Sequence, residues 1–205
     1  MKHLADLTKR VETLARTADD RIWVHNFDEE AAAKFGNLVF KVAEKDEREP
    51  IIVYVDSYGG YIDALVSMLS IMDGVPNPFI TVATGKAMSA GAVLLSHGDI
   101  RCVGQHARVM IHEMQAGTSG HINDIKTDAR EHDRLNEYVM GLLAQNCKKP
   151  LSKIRKLWGK DRDLYMTAQQ AVDFGLADNV GIPLVERYSA FDMKFLDTKD
   201  AQVKP

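Results

Sequence analysis

The residue most able to do chemistry is Ser89, in the segment KAMSAGA at residues 86–92. A predicted strand meets a predicted helix there, and the small neighbours of the serine would let a substrate backbone approach its hydroxyl. The following helix would direct its positive end at a developing anion. The same small residues also suit tight helix packing, so this segment alone leaves both interpretations open.

His112 is the candidate general base, because it lies near the end of the predicted strand 108–114. At the carboxyl edge of a sheet, an imidazole can accept the proton that a serine hydroxyl loses when it attacks. A histidine at a strand end is also often a hydrogen-bonded structural residue. The other six histidines show no metal-ligand spacing and no HExxH pairing, so we predict no metal and no cofactor.

Paired glycines, Gly59 and Gly60, follow the β-branched segment PIIVYVDS at residues 50–57. Without a β-carbon they can turn backbone N–H groups outward and admit a substrate carbonyl. A tetrahedral oxyanion needs two such donors, each worth about 3–4 kcal/mol of barrier. We predict one donor in this turn and the other at the amide of Ala90. A plain tight turn is the alternative.

The elements that must position these groups alternate between strand and helix. This order predicts a parallel α/β fold with right-handed crossovers, in one domain over residues 21–183. An amphipathic N-terminal segment, 1–20, precedes it, and a charged C-terminal tail, 184–205, follows. Strands are predicted at 21–26, 50–57, 79–83, 100–103, 108–114 and 164–167, and helices at 28–45, 62–72, 122–147, 151–158 and 168–174, with a small-residue turn at 85–92 leading into a short helix.

The longest predicted helix, 122–147, does not fit a compact layer. One side of it carries Ile125, Leu135, Val139 and Leu142. Together they present more apolar surface than is needed to cover one sheet. Surplus apolar surface of this kind predicts a protruding element that packs against another subunit.

Composition excludes several classes of function. The net charge is −3, whereas proteins that bind nucleic-acid phosphates usually have more basic than acidic residues. We therefore predict no nucleic-acid partner. The basic cluster at 148–160 is better explained as a solvated helix face. No apolar stretch is long enough to span a bilayer and the first residues do not form a secretory signal, which favours a cytoplasmic protein. Cys102 and Cys147 lie far apart and are interpreted as reduced thiols.

Four motifs together carry a resemblance to a known family. DSYGG, GKAMSAGA, RVMIHE and DRDLYMTAQQAVDFGLAD occur in that order. The chain thereby resembles the Clp protease proteolytic-subunit family over about residues 21–180. The resemblance implies a ClpP/crotonase-type fold, a repeated β-β-α superhelix with a protruding handle helix at 122–147. It also implies a serine endopeptidase that cleaves polypeptides inside a barrel.

By this resemblance Ser89 is the nucleophile, His112 the general base and Asp163 the orienting carboxylate. The family pattern alone selects Asp163 over Asp56 or Asp99.

The same resemblance assigns the oxyanion hole to the backbone of Gly59 and Ala90, and substrate binding to glycines of two loops, Gly60, Gly117 and Gly120. The handle helix would stack two heptameric rings of this chain, with Asp161 and Arg162 bridging the rings by salt links.

The chain departs from the family pattern at several positions. Tyr58 stands where proline is usual, and Glu113 and Met114 replace a Gln-Pro pair. The usual axial segment is not recognisable in residues 1–20, which leaves partnership with an AAA+ Clp unfoldase open. Such divergence suits an accessory or phage-encoded member. Two alternative functions are a catalytically minor or structural ring subunit of a mixed Clp assembly and a crotonase-type acyl-CoA enzyme.

Overall fold

The computed structural model describes residues 21–45, 49–158 and 163–183. The predicted N-terminal segment 1–20, the tail 184–205, and both Asp161 and Arg162 lie outside these residues. Within the described ranges, no helix has the length and apolar character needed to cross a membrane.

The described residues form one seven-stranded sheet with helices packed on it. The strands are β1 (Arg21–Val24), β2 (Ile51–Ser57), β3 (Phe79–Met88), β4 (Ile100–Val103), β5 (Arg108–His112), β6 (Asp163–Thr167) and β7 (Asn179–Val180). The helices are α1 (Glu29–Ala43), α2 (Ile62–Asp73), α3 (Ala90–Ser96), α4 (Ile122–Asn146), α5 (Leu151–Trp158) and α6 (Ala168–Phe174). The predicted α/β class and the predicted alternation of elements are confirmed. The short strand β7 was not predicted.

Strand pairing follows the order β1-β2-β3-β4-β7, and each of these pairs is parallel. β5 pairs in parallel with the far end of β3, and β6 pairs antiparallel with β5. The prediction of a parallel sheet is therefore correct except at β6. That exception matters, because an antiparallel partner sets β6 residues directly opposite those of β5.

The strand β3 changes partner halfway along its length. Its first part, Ile80 to Ala83, pairs with β4, and its last part, Lys86 to Met88, pairs with β5. The sequence predicts that the strand ends at residue 83, because the glycine at 85 favours a turn. The chain instead stays extended to Met88, since β5 supplies a second ladder of hydrogen bonds.

Two apolar clusters hold the sheet. The larger one lies between the sheet and its helices and includes Val53 and Val55 of β2, both fully buried. Asp28, the first residue of the predicted helix 28–45, is the N-cap of α1, and its carboxylate accepts a hydrogen bond from the N–H of Ala31 at 2.8 Å. The smaller cluster lies apart from it and comprises Tyr54, Ile80, Val82 and Cys102.

Arg101 of β4 links the end of α4 to the residues that follow α6. Its guanidinium donates to both carboxylate oxygens of Asp178, at 2.5 and 3.0 Å. It also donates to the carbonyls of Asn146 and Gly175, each at 2.9 Å. Because the Arg101 side chain is only 12% exposed, these partners replace its lost hydration. The hydrogen bond from Arg101 also lowers the pKa of Asp178.

The helix α4 confirms the predicted long helix, and residues 122–131 are exposed along their whole length. Its surplus apolar surface is smaller than the sequence indicated. Val139 and Leu142 pack against the core of their own chain. The exposed apolar side chains of α4 include Ile122, Ile125 and Tyr138, which are 71%, 36% and 43% exposed.

Candidate active site

Ser89 is the single residue between β3 and α3, and its backbone is strained. Its φ of 53° and ψ of −122° lie in a region that non-glycine residues rarely occupy. The Ser89 N–H donates to the carbonyl of Met110 at 2.8 Å, which fixes the serine against β5. Strain of this kind costs about 1–3 kcal/mol and is concentrated at functional sites. The result is a sharp strand-to-helix turn that presents the hydroxyl.

His112 is the last residue of β5, two residues beyond the strand position that anchors Ser89. Its Nε2 lies 2.7 Å from Ser89 Oγ, the distance of a good hydrogen bond. For Nε2 to accept the serine proton, Nδ1 must carry the ring hydrogen. The imidazole side chain is 15% exposed, so most of it is shielded from solvent.

Asp163 begins β6 directly opposite His112 in the antiparallel ladder. Its Oδ1 lies 3.6 Å from His112 Nδ1, about 0.6 Å longer than a typical hydrogen bond. The carboxylate side chain is 42% exposed. The fold thus brings Ser89, His112 and Asp163 together in the order that a catalytic triad requires, with the histidine between the other two.

The two rival aspartates have other partners. Asp56 accepts a hydrogen bond from the ammonium of Lys86 at 2.9 Å. Asp99 accepts one from the backbone N–H of Phe79 at 2.7 Å, at the start of β3. Each is thus engaged at a different place in the sheet, whereas Asp163 faces the histidine.

The backbone of Gly59 is packed against the serine. A β-carbon at Gly59 would lie 2.7 Å from Ser89 Cβ and 3.1 Å from the amide nitrogen of Ala90, and the φ of Gly59 is 103°. Only glycine fits both constraints. The Gly59 N–H donates to the hydroxyl of buried Ser57 at 3.0 Å. Ala90 is the first residue of α3, where an amide has no partner inside the helix.

A cavity of about 600 Å³ opens beside Ser89 and His112. Two of the predicted substrate-binding glycines, Gly60 and Gly117, line it. Gly120 is not among the lining residues and lies two residues before α4 begins. The cavity therefore reaches from the glycine turn after β2 to the loop that follows β5.

Sequence reasoning missed the contribution of α4 to this cavity. His132, Leu135 and Val139 line it from the helix. The helical spacing of the two apolar residues instead indicated a subunit contact. His132 lies three residues before Leu135 on the same face of the helix. This polar residue among apolar ones was the signal in the sequence that the face could line a cavity.

Neither cysteine offers a competing nucleophile. Cys102 and Cys147 are both buried and free. Burial raises the pKa of Cys102, and it raises the pKa of Cys147 to about 11. Both thiols are therefore protonated at neutral pH and unreactive. In the part of the chain that the structure describes, no group of three or more His, Cys, Asp and Glu side chains is placed to hold a metal ion.

Comparison with known protein families gives one match that covers most of the chain. The family model described as Clp protease matches residues 8–183. The matched range contains every residue of the site described above.

Proposed function

The chain belongs to the Clp protease family, and from this premise we propose that it is a serine endopeptidase with Ser89 as its nucleophile. The observation that carries the proposal is the 2.7 Å contact between Ser89 Oγ and His112 Nε2, on a strained strand-to-helix turn. A serine hydroxyl becomes an effective nucleophile when an adjacent imidazole accepts its proton.

In the proposed reaction, Ser89 Oγ attacks the carbonyl carbon of a peptide bond while His112 Nε2 takes the hydroxyl proton. The imidazolium then gives that proton to the leaving amine, and an acyl-enzyme ester remains on Ser89. A water molecule hydrolyses the ester with His112 again acting as the base. Asp163 stabilises the imidazolium from the Nδ1 side. The 3.6 Å separation must shorten by about 0.6 Å for a direct hydrogen bond to form.

Two backbone amides are proposed to stabilise the oxyanion. The amide of Ala90 is available because it opens a helix, and the helix dipole adds positive potential there. The amide of Gly59 is bonded to Ser57 Oγ at 3.0 Å. Substrate binding must therefore share or displace that bond before Gly59 can act as the second donor. Each donor would contribute about 3–4 kcal/mol to lowering the barrier.

We propose that the substrate is an extended polypeptide with an apolar side chain beside the scissile bond. The cavity that Ser89 lines also has apolar walls, which include Leu65, Val93 and Leu143. A segment of peptide bound alongside residues 113–117, which continue β5 without regular structure, would lie across Ser89.

Self-assembly into rings is proposed for the same chain. Ile122, Ile125 and Tyr138 leave apolar surface exposed on a helix whose first ten residues are all exposed. A second copy of this chain would bury that surface in a two-fold contact. Stacked heptameric rings are the assembly that we propose.

The proposal is tested by hydrolysis of a fluorogenic peptide with an apolar residue at the scissile bond. Ser89→Ala and His112→Ala should each lower kcat by several orders of magnitude while the melting temperature stays close to the wild-type value. Ser89→Ala removes one hydroxyl and scarcely changes volume, so it is the cleaner variant. Unchanged turnover in Ser89→Ala would refute the assignment.

A further inference from the structure

Lys86 makes two contacts that together connect both flanks of the candidate oxyanion hole. Its ammonium donates to Asp56 Oδ1 at 2.9 Å and lies 4.7 Å from the centroid of the Tyr58 ring. Asp56 is the second-last residue of β2, and Tyr58 follows the strand directly before Gly59. Lys86 itself stands on β3, three residues before Ser89. One side chain thus joins the loop that carries one oxyanion donor to the strand that carries the nucleophile.

These contacts lie at the irregular point of the sheet. Val55 pairs with Ala83 and Ser57 pairs with Ala87, so three residues of β3 lie opposite the single residue Asp56. A bulge of this kind bends a strand and re-aims the residues beyond it. Within the same stretch β3 changes partner, because its pairing with β4 ends at Ala83 and its pairing with β5 begins at Lys86. The bend therefore sets where Ser89 meets His112.

The bulge leaves little room around the carboxylate of Asp56. A β-carbon at Gly85 would lie 2.9 Å from Asp56 Oδ1, the oxygen that accepts from Lys86. The Asp56 backbone carbonyl also contacts His25 Nδ1 at 3.2 Å, from the end of β1. Asp56 is thus held between the two neighbouring strands while Lys86 holds its side chain.

We propose that Lys86 is a positioning residue, which fixes the Gly59 loop relative to Ser89 through its joint contacts with Asp56 and Tyr58. The inference rests on the proposed serine peptidase function and names a device that serves it. On its far side the turn is held by Phe27, whose carbonyl accepts from the Tyr61 N–H at 2.8 Å and which forms a bridge with Gly60, and Lys86 adds the side-chain anchor on the β3 side. Loss of the lysine lets the loop and the serine strand move apart while the peptide-binding cavity remains.

The charges at this site support a persistent contact. The hydrogen bond from Lys86 lowers the pKa of Asp56 below its ordinary value of 3.8. The carboxylate is therefore ionised throughout the neutral range. The side chains of Lys86 and Asp56 are only 22% and 33% exposed, so solvent screens this pair less than a fully exposed one.

The test compares Lys86→Met, which keeps the length and apolar stem of the side chain, with Lys86→Arg, which keeps its charge and its ability to stack on a ring. Lys86→Met should lower kcat for peptide hydrolysis by about 10- to 100-fold, because a misplacement of about 1 Å has effects of that size. KM should stay within about twofold of wild type, since the cavity is intact. Lys86→Arg should recover most of the lost kcat.

Lys41→Met is the matched control, because Lys41 is exposed in the last turn of α1 and does not line the cavity. It should leave both kcat and KM unchanged. Tyr58→Leu keeps the ion pair but removes the ring, and it should lower kcat by a smaller factor than Lys86→Met. If Lys86→Met does not fold, this variant carries the test, and wild-type kcat in Tyr58→Leu would then contradict the inference.

The outcomes separate the positioning inference from the proposed function. If the wild-type protein hydrolyses peptides and loses that activity in Ser89→Ala, the proposed function stands. Wild-type kcat in Lys86→Met, or a rise in KM alone, would then overturn only the positioning role of Lys86. A wild-type protein without serine-dependent hydrolysis would refute the proposed function itself.

Discussion

Replacement of Gly59 by alanine tests whether the glycine turn is built around the serine. The new methyl carbon would lie 2.7 Å from Ser89 Cβ and 2.9 Å from the carbonyl oxygen of Met88. Carbon atoms in favourable contact are about 3.5–4.0 Å apart, so the loop and the serine must separate by roughly 1 Å. A φ of 103° adds a strain of about 1–3 kcal/mol for a residue with a side chain.

Two effects follow from that displacement. Misplacement of the nucleophile and one oxyanion donor by about 1 Å should lower kcat by roughly 10²- to 10³-fold. The free energy of unfolding should fall by about 2–4 kcal/mol, the combined cost of strain and overpacking. Peptide hydrolysis measures the first effect and urea unfolding the second.

Gly141→Ala is the matched control for this prediction. Apart from its chain neighbours and the backbone of its own helix, no atom lies within 4 Å of a β-carbon at Gly141, which is inside α4. Alanine should therefore leave kcat unchanged and raise stability by up to about 1 kcal/mol. Wild-type kcat in Gly59→Ala would refute the reasoning, because the described packing could not then be the packing of the active protein.

Three further predictions concern the acid, the assembly and the fold. Asp163→Asn should lower kcat by about 10²- to 10⁴-fold with the melting temperature preserved, whereas near-wild-type hydrolysis would mean that another group orients His112. Ile125→Asp should reduce the particle mass measured by light scattering, because it places a charge in the proposed contact between copies of α4; an unchanged mass would argue against that contact. Arg101→Met should lower the free energy of unfolding by about 2–4 kcal/mol at pH 7, since the carbonyls of Asn146 and Gly175 lose their donor. The pKa of Asp178 is lowered below 3.8 in the folded state, so its ion pair stabilises the fold above that pH and is lost as the pH falls through the folded pKa; the effect of Arg101→Met in urea unfolding should accordingly shrink at pH 3.

Local patterns predicted where Ser89 and His112 lie in the fold. Ser89 was expected at a strand-to-helix junction and His112 near a strand end, and both lie there. These expectations depend on short segments, such as a β-branched run followed by small residues, whose local preferences agree with the fold. The N-cap of α1 at Asp28 was predictable for the same reason.

Long-range pairing could not be predicted in this way. Spacing alone did not select Asp163, because its place opposite His112 depends on β6 running antiparallel to β5. Nothing local to residues 79–88 shows that β3 changes partner from β4 to β5. The predicted strand therefore ended at residue 83, five residues before the observed end at Met88. The contact between Lys86 and Asp56 depends on that same change.

The helix α4 shows a third kind of limit. Its apolar spacing indicated a face that packs against another surface, but not which surface that is. Leu135 and Val139 line the cavity of their own chain, and a sequence pattern cannot separate such a contact from one with another subunit.

The most direct test of the central claim is the mass of the protein after reaction with a fluorophosphonate, followed by peptide mapping. This reagent reacts with a serine hydroxyl only when a neighbouring base activates it. The 2.7 Å contact between Ser89 Oγ and His112 Nε2 predicts one added group per chain, located on Ser89, and none in His112→Ala. A modification at another residue, or full labelling of His112→Ala, would contradict the account.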